Sequence, residues 1–387
     1  MRNKLKNSNR VLYGEIDRRS VLAGACGAWA LAGFTSAFPG IARSAEVADK
    51  LRWLEYSHLQ KPIFTELFEK ESGIELIKGA IQNDDTTLAM LAAGGTDSWD
   101  VFHMGDLKNH PILVREGLVQ PIDYSQIPNA KNIMPVFQSF IKSNMAGPDG
   151  KDYGVPSRWG VDTIGYRTDK LDPPKTVQAL WDEKYKGKIS MPDYALYEIV
   201  YAAQYLGYPR EQYYRLNSEQ LQECKKALIA QKPLLKSYWL SDADVINLWT
   251  SDEIWLAGAL WAGTTATLRS ENFPVARTVP KEGAPGFINV AYVSAGAQPE
   301  AIEAAYLFFD YLLGPEFGER IGQKGRYATV TGQGQGDLTP EIKEEIFLKY
   351  VDDLGQLVDF MVPPVNPDTG ELNYDEWITI WNEVKAA

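Results

Sequence analysis

Aromatic rings and carboxylates dominate the side chains of this sequence that could hold or transform a ligand. It carries 11 Trp, 20 Tyr and 14 Phe, against three histidines and two cysteines. Flat aromatic faces attract cations and stack on sugars or planar amines. A cluster of them at loop-facing strand ends would therefore read as a binding site, although one ring taken alone more often fills a core. His58, His103 and His110 show no metal-ligand spacing, and there is no CxxC. No GxSxG elbow, Walker loop or HExxH segment occurs. The 51 acidic residues offer many pairs of the kind glycosidases use, which leaves an exported hydrolase open. Gly332-Gln333-Gly334-Gln335-Gly336 does not sit between a strand and a helix, and reads as a flexible loop rather than a phosphate cradle. No catalytic residue, metal or cofactor is expected.

Charge and length narrow the classes further. The formal charge is −12 over 387 residues. Nothing supplies the basic stripe that nucleic-acid phosphates need, and the length suits two lobes with separate cores. Residues 1–45 differ from the rest, with seven Lys/Arg against two Asp/Glu and the pair Arg18-Arg19 ahead of an Ala- and Gly-rich uncharged run. A basic start, an apolar middle and small residues at the end describe a secretory signal. The adjacent arginines make it resemble a twin-arginine export signal, with cleavage expected after Ala42 or Ala45. Lipidation at Cys26 fits less well, because little apolar sequence precedes it. Without this segment the chain keeps one cysteine, Cys224, so no internal disulfide is expected. A monomer is expected.

The elements that must position any site alternate between strand and helix. Residues 51–56, 75–81 and 99–104 read as strands. A helix opening at Pro62 and closing at Gly73 separates the first two, and a helix over 84–93 follows. Residues 153–166 read as one crossover strand. Beyond it come strands at 188–191, 253–261 and 287–294. Helices are expected over 195–206, 218–230 and 263–270, and a long one from Pro299. Residues 337–387 read as mainly helical, broken at Pro363-Pro364 and Asn366-Pro367. This alternation argues for α/β lobes with mostly parallel sheets.

Several stretches then carry a resemblance in their order and spacing. They are Phe64-Thr65-Glu66-Leu67-Phe68-Glu69-Lys70-Glu71-Ser72-Gly73-Ile74, Trp99-Asp100-Val101, Glu116-Gly117-Leu118-Val119-Gln120-Pro121-Ile122-Asp123, Tyr153-Gly154-Val155-Pro156 and Trp159-Gly160 with Thr163-Ile164-Gly165-Tyr166. Further on come Leu180-Trp181-Asp182-Glu183-Lys184-Tyr185-Lys186-Gly187, Trp261-Ala262-Gly263 and Val279-Pro280-Lys281-Glu282-Gly283. Over about residues 50–330 the set resembles the periplasmic binding proteins of spermidine/putrescine ABC importers. The resemblance implies an α/β periplasmic binding protein fold, with a ligand cleft between two lobes joined by crossing strands. The implied division is 46–156 plus 287–333 for lobe 1 and 157–286 plus 334–387 for lobe 2. It also implies a periplasmic location and a membrane permease as partner.

Carried over residue by residue, the resemblance implies a ligand site with departures. Tyr56 and Ser57 match a first-strand aromatic and hydroxyl, while Leu59 replaces a further aromatic. Trp261 and Phe287 match two more rings. Asn289 stands where the polyamine binders have an ammonium-gripping Asp. Tyr194 and Tyr197 stand at the family's acidic pair, with Asp193 and Glu198 one step away. The expected box is Tyr56, Trp159, Tyr194, Trp261 and Phe287, with polar contacts from Ser57, Asp193, Glu198 and Asn289. Arg158 is either a hinge-surface arginine or a positive group facing the ligand. In the second case a zwitterion, opine or organic anion becomes the alternative ligand, with a sugar a further one.

Overall fold

The computed structural model describes residues 47–387 apart from Asp106, so the expected signal segment lies outside the described residues. Twelve strands form in chain order: β1 Lys50–Tyr56, β2 Glu75–Ile81, β3 Val101–Met104, β4 Val155–Val161, β5 Thr163–Arg167 and β6 Ile189–Pro192, then β7 Leu235–Trp239, β8 Leu256–Leu260, β9 Val275–Thr278, β10 Ala284–Val293, β11 Ala328–Thr329 and β12 Val358–Phe360. The helix that opens at Pro62 runs to Ser72 and stops because Gly73 adopts the left-handed conformation at φ 73°. It buries Phe64 and Phe68 and carries the chain from β1 to its parallel partner β2.

Two sheets result. The first has the order β11-β4-β10-β3-β1-β2, with β12 also paired to β10, and the second runs β7-β6-β8-β5-β9. β1, β2 and β3 are parallel, as are β6, β7 and β8, while β10 runs against β3 and β4 but parallel to β12, and β5 runs against β8 and β9. Each sheet has its own core. Phe68, Phe102, Phe137, Phe308 and Phe309 anchor the first. Met191, Leu196, Tyr201 and Leu221 anchor the second, with Trp377 and Trp381 from the carboxyl-terminal helix Tyr374–Ala386. Cys224 sits fully buried in this second core, where burial pushes its thiol up to about 12, so it is an inert apolar filler. No helix of the described residues is long and apolar enough to cross a membrane.

The crossings between sheets differ from the sequence reading. β4 pairs with β10 and β11 through Val161, and β5 begins at Thr163 in the other sheet. The expected single strand is thus two, hinged on Asp162, and the chain leaves the first sheet there rather than at 157. The return lies between β9 and β10, whose pairing with β4 starts at Gly286. Leu338, Ile346, Phe347, Leu354 and Val358 join the first core, so that core keeps the chain well past 333. Only from Met361 does the chain enter the second core.

Among the elements that escape a reading by periodicity are β7, the helix Asp242–Thr250, and β12, which lies inside the stretch read as helical. The Gly332–Gly336 run is not a loose loop. The Gln335 side chain is buried, donating to the carbonyls of Gly318 (3.0 Å) and Tyr327 (2.9 Å) and accepting from the Thr329 N–H (3.0 Å).

Candidate functional site

The carboxyl ends of β1, β3, β7 and β8, parallel strands of the two sheets, face one pocket, where open α/β sheets place ligands. Its volume is about 290 Å3, at the lower edge for small-molecule sites. It is lined by Tyr56, His58, Gly105, Asp162, Tyr197, Trp239, Asp242, Ala259, Trp261, Phe287, Asn289 and Tyr327. Tyr56 ends β1 and Gly105 follows β3; Trp239 ends β7 and Trp261 follows β8. Asp162 is the residue at the hinge. A larger hollow of about 590 Å3 lies at Arg269, Arg277 and Glu345. Its charges are already engaged with one another, as in Arg269–Glu345 at 3.8 Å, and it gathers fewer rings.

The rings are fixed by close backbone approach. Phe287 on β10 lies opposite Gly160 on β4, and a Cβ at 160 would come within 2.3 Å of the Phe287 Cζ. The Trp261 indole covers Gly263, where a Cβ would fall 2.1 Å from its edge. Only glycine at these two positions lets the rings lie flat. Tyr327 joins them, its centroid 5.1 Å from Trp261 and 6.0 Å from Phe287, with an edge-on angle of 79° to the latter. His58 Nε2 lies 3.2 Å from the Tyr327 hydroxyl.

Two carboxylates sit among these rings. Asp242, in the first turn of its helix, accepts from the Trp261 indole N–H at 2.9 and 3.0 Å and from the Thr264 hydroxyl at 3.0 Å. Asp162 accepts from the Tyr197 hydroxyl, and its backbone N–H donates to the Pro285 carbonyl at 2.9 Å. Tyr56 donates to Asp84 Oδ1 at 2.6 Å, and Asp84 Oδ2 takes the Gly105 N–H at 2.9 Å. Aromatic faces with ionised oxygens between them suit an organic cation, whose burial needs both.

Beneath the pocket lies a buried ionic network. Arg158 is opposite Asn289 in the β4–β10 pairing, so their side chains meet. Arg158 Nη2 donates to Glu55 Oε2 at 2.7 Å and to Asn289 Oδ1 at 3.0 Å. His103 Nδ1 is 3.2 Å from the same Glu55 oxygen and accepts from the Trp53 N–H at 3.0 Å. Burial pushes the Glu55 carboxyl upward, opposed by Arg158 and the Tyr56 N–H, and burial with Arg158 holds His103 well below the usual imidazole value. His103 is therefore neutral at pH 7.

A family description, bacterial extracellular solute-binding protein, matches residues 65–343. The chain belongs to that family. Among curated relatives, the spermidine/putrescine-binding periplasmic protein of Salmonella typhimurium is 26% identical over 306 residues, 77% of this chain and 82% of that protein. The fold is that of two-lobed periplasmic binding proteins. The structure of the spermidine/putrescine ABC transporter substrate-binding protein from Streptococcus pneumoniae superposes with a TM-score of 0.72 at 19% identity, covering 88% of this chain and 99% of the other. A binding protein from A. tumefaciens B6, solved in complex with glucopine, gives 0.69 at 16% identity over 87% and 99%.

The solute-binding architecture brings together five of the residues expected from sequence: Tyr56, Tyr197, Trp261, Phe287 and Asn289. The others lie elsewhere. Arg158 is not on a hinge surface and does not belong to the pocket lining: it is fully buried against Glu55. Trp159 alternates to the opposite face of β4, packs on Phe137 and Phe360 in the first core, and donates to the Thr329 carbonyl at 3.2 Å. Ser57 is exposed outside the lining. Asp193 turns to the carboxyl-terminal helix, accepting from Trp381 (2.7 Å) and Lys385 (2.9 Å). Glu198 is one helical position beyond Tyr197, and that rotation puts it inside the second core. Both its oxygens lack a hydrogen bond, and burial, then Asp193, pushes its carboxyl well above the usual range. Tyr194 packs beside Tyr197, centroids 5.4 Å apart, and does not reach the lining.

Asp162, Trp239, Asp242 and Tyr327 were not legible as site residues. Trp239 and Asp242 sit on two of the elements that periodicity misses. A signal existed, since Ser241 followed by Asp242 and Asp244 is a helix start, and its side chain caps the Asp244 N–H at 3.2 Å.

Proposed function

We propose that this chain is the substrate-binding component of an ABC importer, acting as a monomer in the periplasm, and that it captures a polyamine or a related small amine. Asp162 and Asp242 within a wall of Tyr56, Tyr197, Trp239, Trp261, Phe287 and Tyr327 carry this reading. The pocket's lining offers an ammonium group two carboxylates and several ring faces, and no lysine or arginine belongs to it. The spermidine/putrescine-binding relative supports the same class. The sequence of residues 1–45, with Arg18-Arg19, supports export by the twin-arginine route. The lobes are read as closing over the ligand about Asp162 and the β9–β10 link, since a ligand touching both sheets binds the closed state better. The closed shape is what the membrane permease would recognise.

Calorimetry of the purified protein against putrescine, spermidine, 4-aminobutyrate, sugars and organic acids tests the reading. Amine binding that falls about 30- to 100-fold in Asp162→Asn, roughly 2 to 3 kcal/mol, is the expected outcome. Binding of a sugar or an organic acid with no response to any amine would overturn it.

A further inference from the structure

We infer that Asn289, oriented by Arg158, makes the pocket select an amine that carries a hydrogen-bond acceptor at its far end over a diamine of the same length. The inference rests on the amine reading above and names the ligand class more closely. A guanidinium only donates, so the Asn289 atom 3.0 Å from Arg158 Nη2 is the amide oxygen. Arg158 is itself held by Glu55 at 2.7 Å on the same nitrogen, within a buried network. The amide therefore cannot flip without leaving a buried cation short of an acceptor. Its oxygen is turned toward Arg158, and Nδ2 is left as the group Asn289 presents. That nitrogen has no hydrogen bond among the described residues, is not one of the sealed and orphaned atoms, and belongs to a residue that lines the pocket beside Phe287.

The other polar groups around the cavity are mostly acceptors. Asp162 and Asp242 are carboxylates, the Trp261 N–H is spent on Asp242, and the Tyr197 and Tyr56 hydroxyls donate to Asp162 and Asp84. Asn289 therefore sets one donor in a lining whose other polar groups suit a cation. An ammonium pointed at Nδ2 would face a donor and leave both groups unpaired, whereas a hydroxyl, carbonyl or carboxylate oxygen pairs with it. Sites that hydrogen-bond a ligand group reject the analogue lacking it more strongly than apolar pockets reject a missing methylene. The irregularity in the β4–β10 register directly after Asn289 fits a strand bent to aim this side chain.

The test compares 1,4-diaminobutane with 4-aminobutanol and 4-aminobutyrate, which share a four-carbon spacing, by calorimetry on the whole protein. At least one acceptor-bearing monoamine should bind about tenfold or more tighter than the diamine. Asn289→Asp keeps one oxygen for Arg158 and turns the other, now anionic, to the pocket; it should reverse the preference. Asn289→Ala, which adds no charge, should erase the preference, read as the ratio of diamine to monoamine affinity whatever the absolute affinities, and it serves if the Asp variant does not fold. A wild-type preference for the diamine, or a preference unchanged in Asn289→Ala, would overturn the inference and leave the amine reading standing. Silence toward all three amines would overturn both.

Discussion

The side of the pocket built on the first sheet and the side built on the second hold their polar groups by opposite means. On the first, Asn289 and Tyr327 rest on the buried pair Arg158–Glu55, which is out of reach of solvent. On the second, Asp242 is exposed and its helix caps itself at the surface, while Trp239 and Trp261 are only half-buried. Buried ions cost desolvation energy, so the first side is rigid only while every partner is present. The exposed carboxylate costs little and is screened by salt. One side therefore fixes geometry and the other supplies attraction. A ligand can be drawn by charge to the second side and then judged by the donors and rings of the first.

The contrast breaks most sharply at Arg158. Arg158→Met leaves Glu55 buried without its cation, and should lower unfolding free energy by about 3 to 5 kcal/mol, read by denaturant titration. If stability changed by under about 1 kcal/mol, the first side would not depend on its ion pair. The second side should respond in affinity rather than stability. Asp242→Asn should weaken amine binding about tenfold, near 1.4 kcal/mol, with little change in melting temperature and a smaller loss in high salt. A loss that ignores salt would mean that Asp242 acts only by holding Trp261.

The smallest effect is expected at Glu198, outside the pocket. Burial raises its folded carboxyl value above the ordinary 4.5, so the folded state holds that proton more tightly than the unfolded chain does. Its contribution to stability is full below pH 4.5 and is lost as pH rises through the folded value. Glu198→Gln removes that loss. Its melting temperature should match the parent at pH 4 and exceed it by a few degrees at pH 8, with amine affinity unaltered. A variant that lost amine binding would instead put Glu198 back in the site.

Local sequence was enough for much of this protein. Pro62 and Gly73 bound their helix because a fixed φ opens a helix and a left-handed residue closes one. β2 and the helix Ala195–Leu206 follow from the run of apolar residues between turn signals. Ordered motifs placed the chain among periplasmic binding proteins, and they named Tyr56, Trp261 and Phe287, which line the candidate pocket. Spacing also put Asp193, Glu198 and Trp159 near a ligand, and there it went wrong. One residue of rotation on a helix, or one of alternation on a strand, exchanges pocket for core, and neither changes composition. Tertiary structure alone decided that Arg158 faces Glu55 instead of a ligand, because that partner lies 103 positions away on another strand. It alone brought Asp162 to Tyr197, 35 positions on, and Asp242 to Trp261, 19 positions on, contacts between separate elements that no local spacing encodes. The class of protein was written in local order; the side chains that line the pocket were set by which distant strands pair.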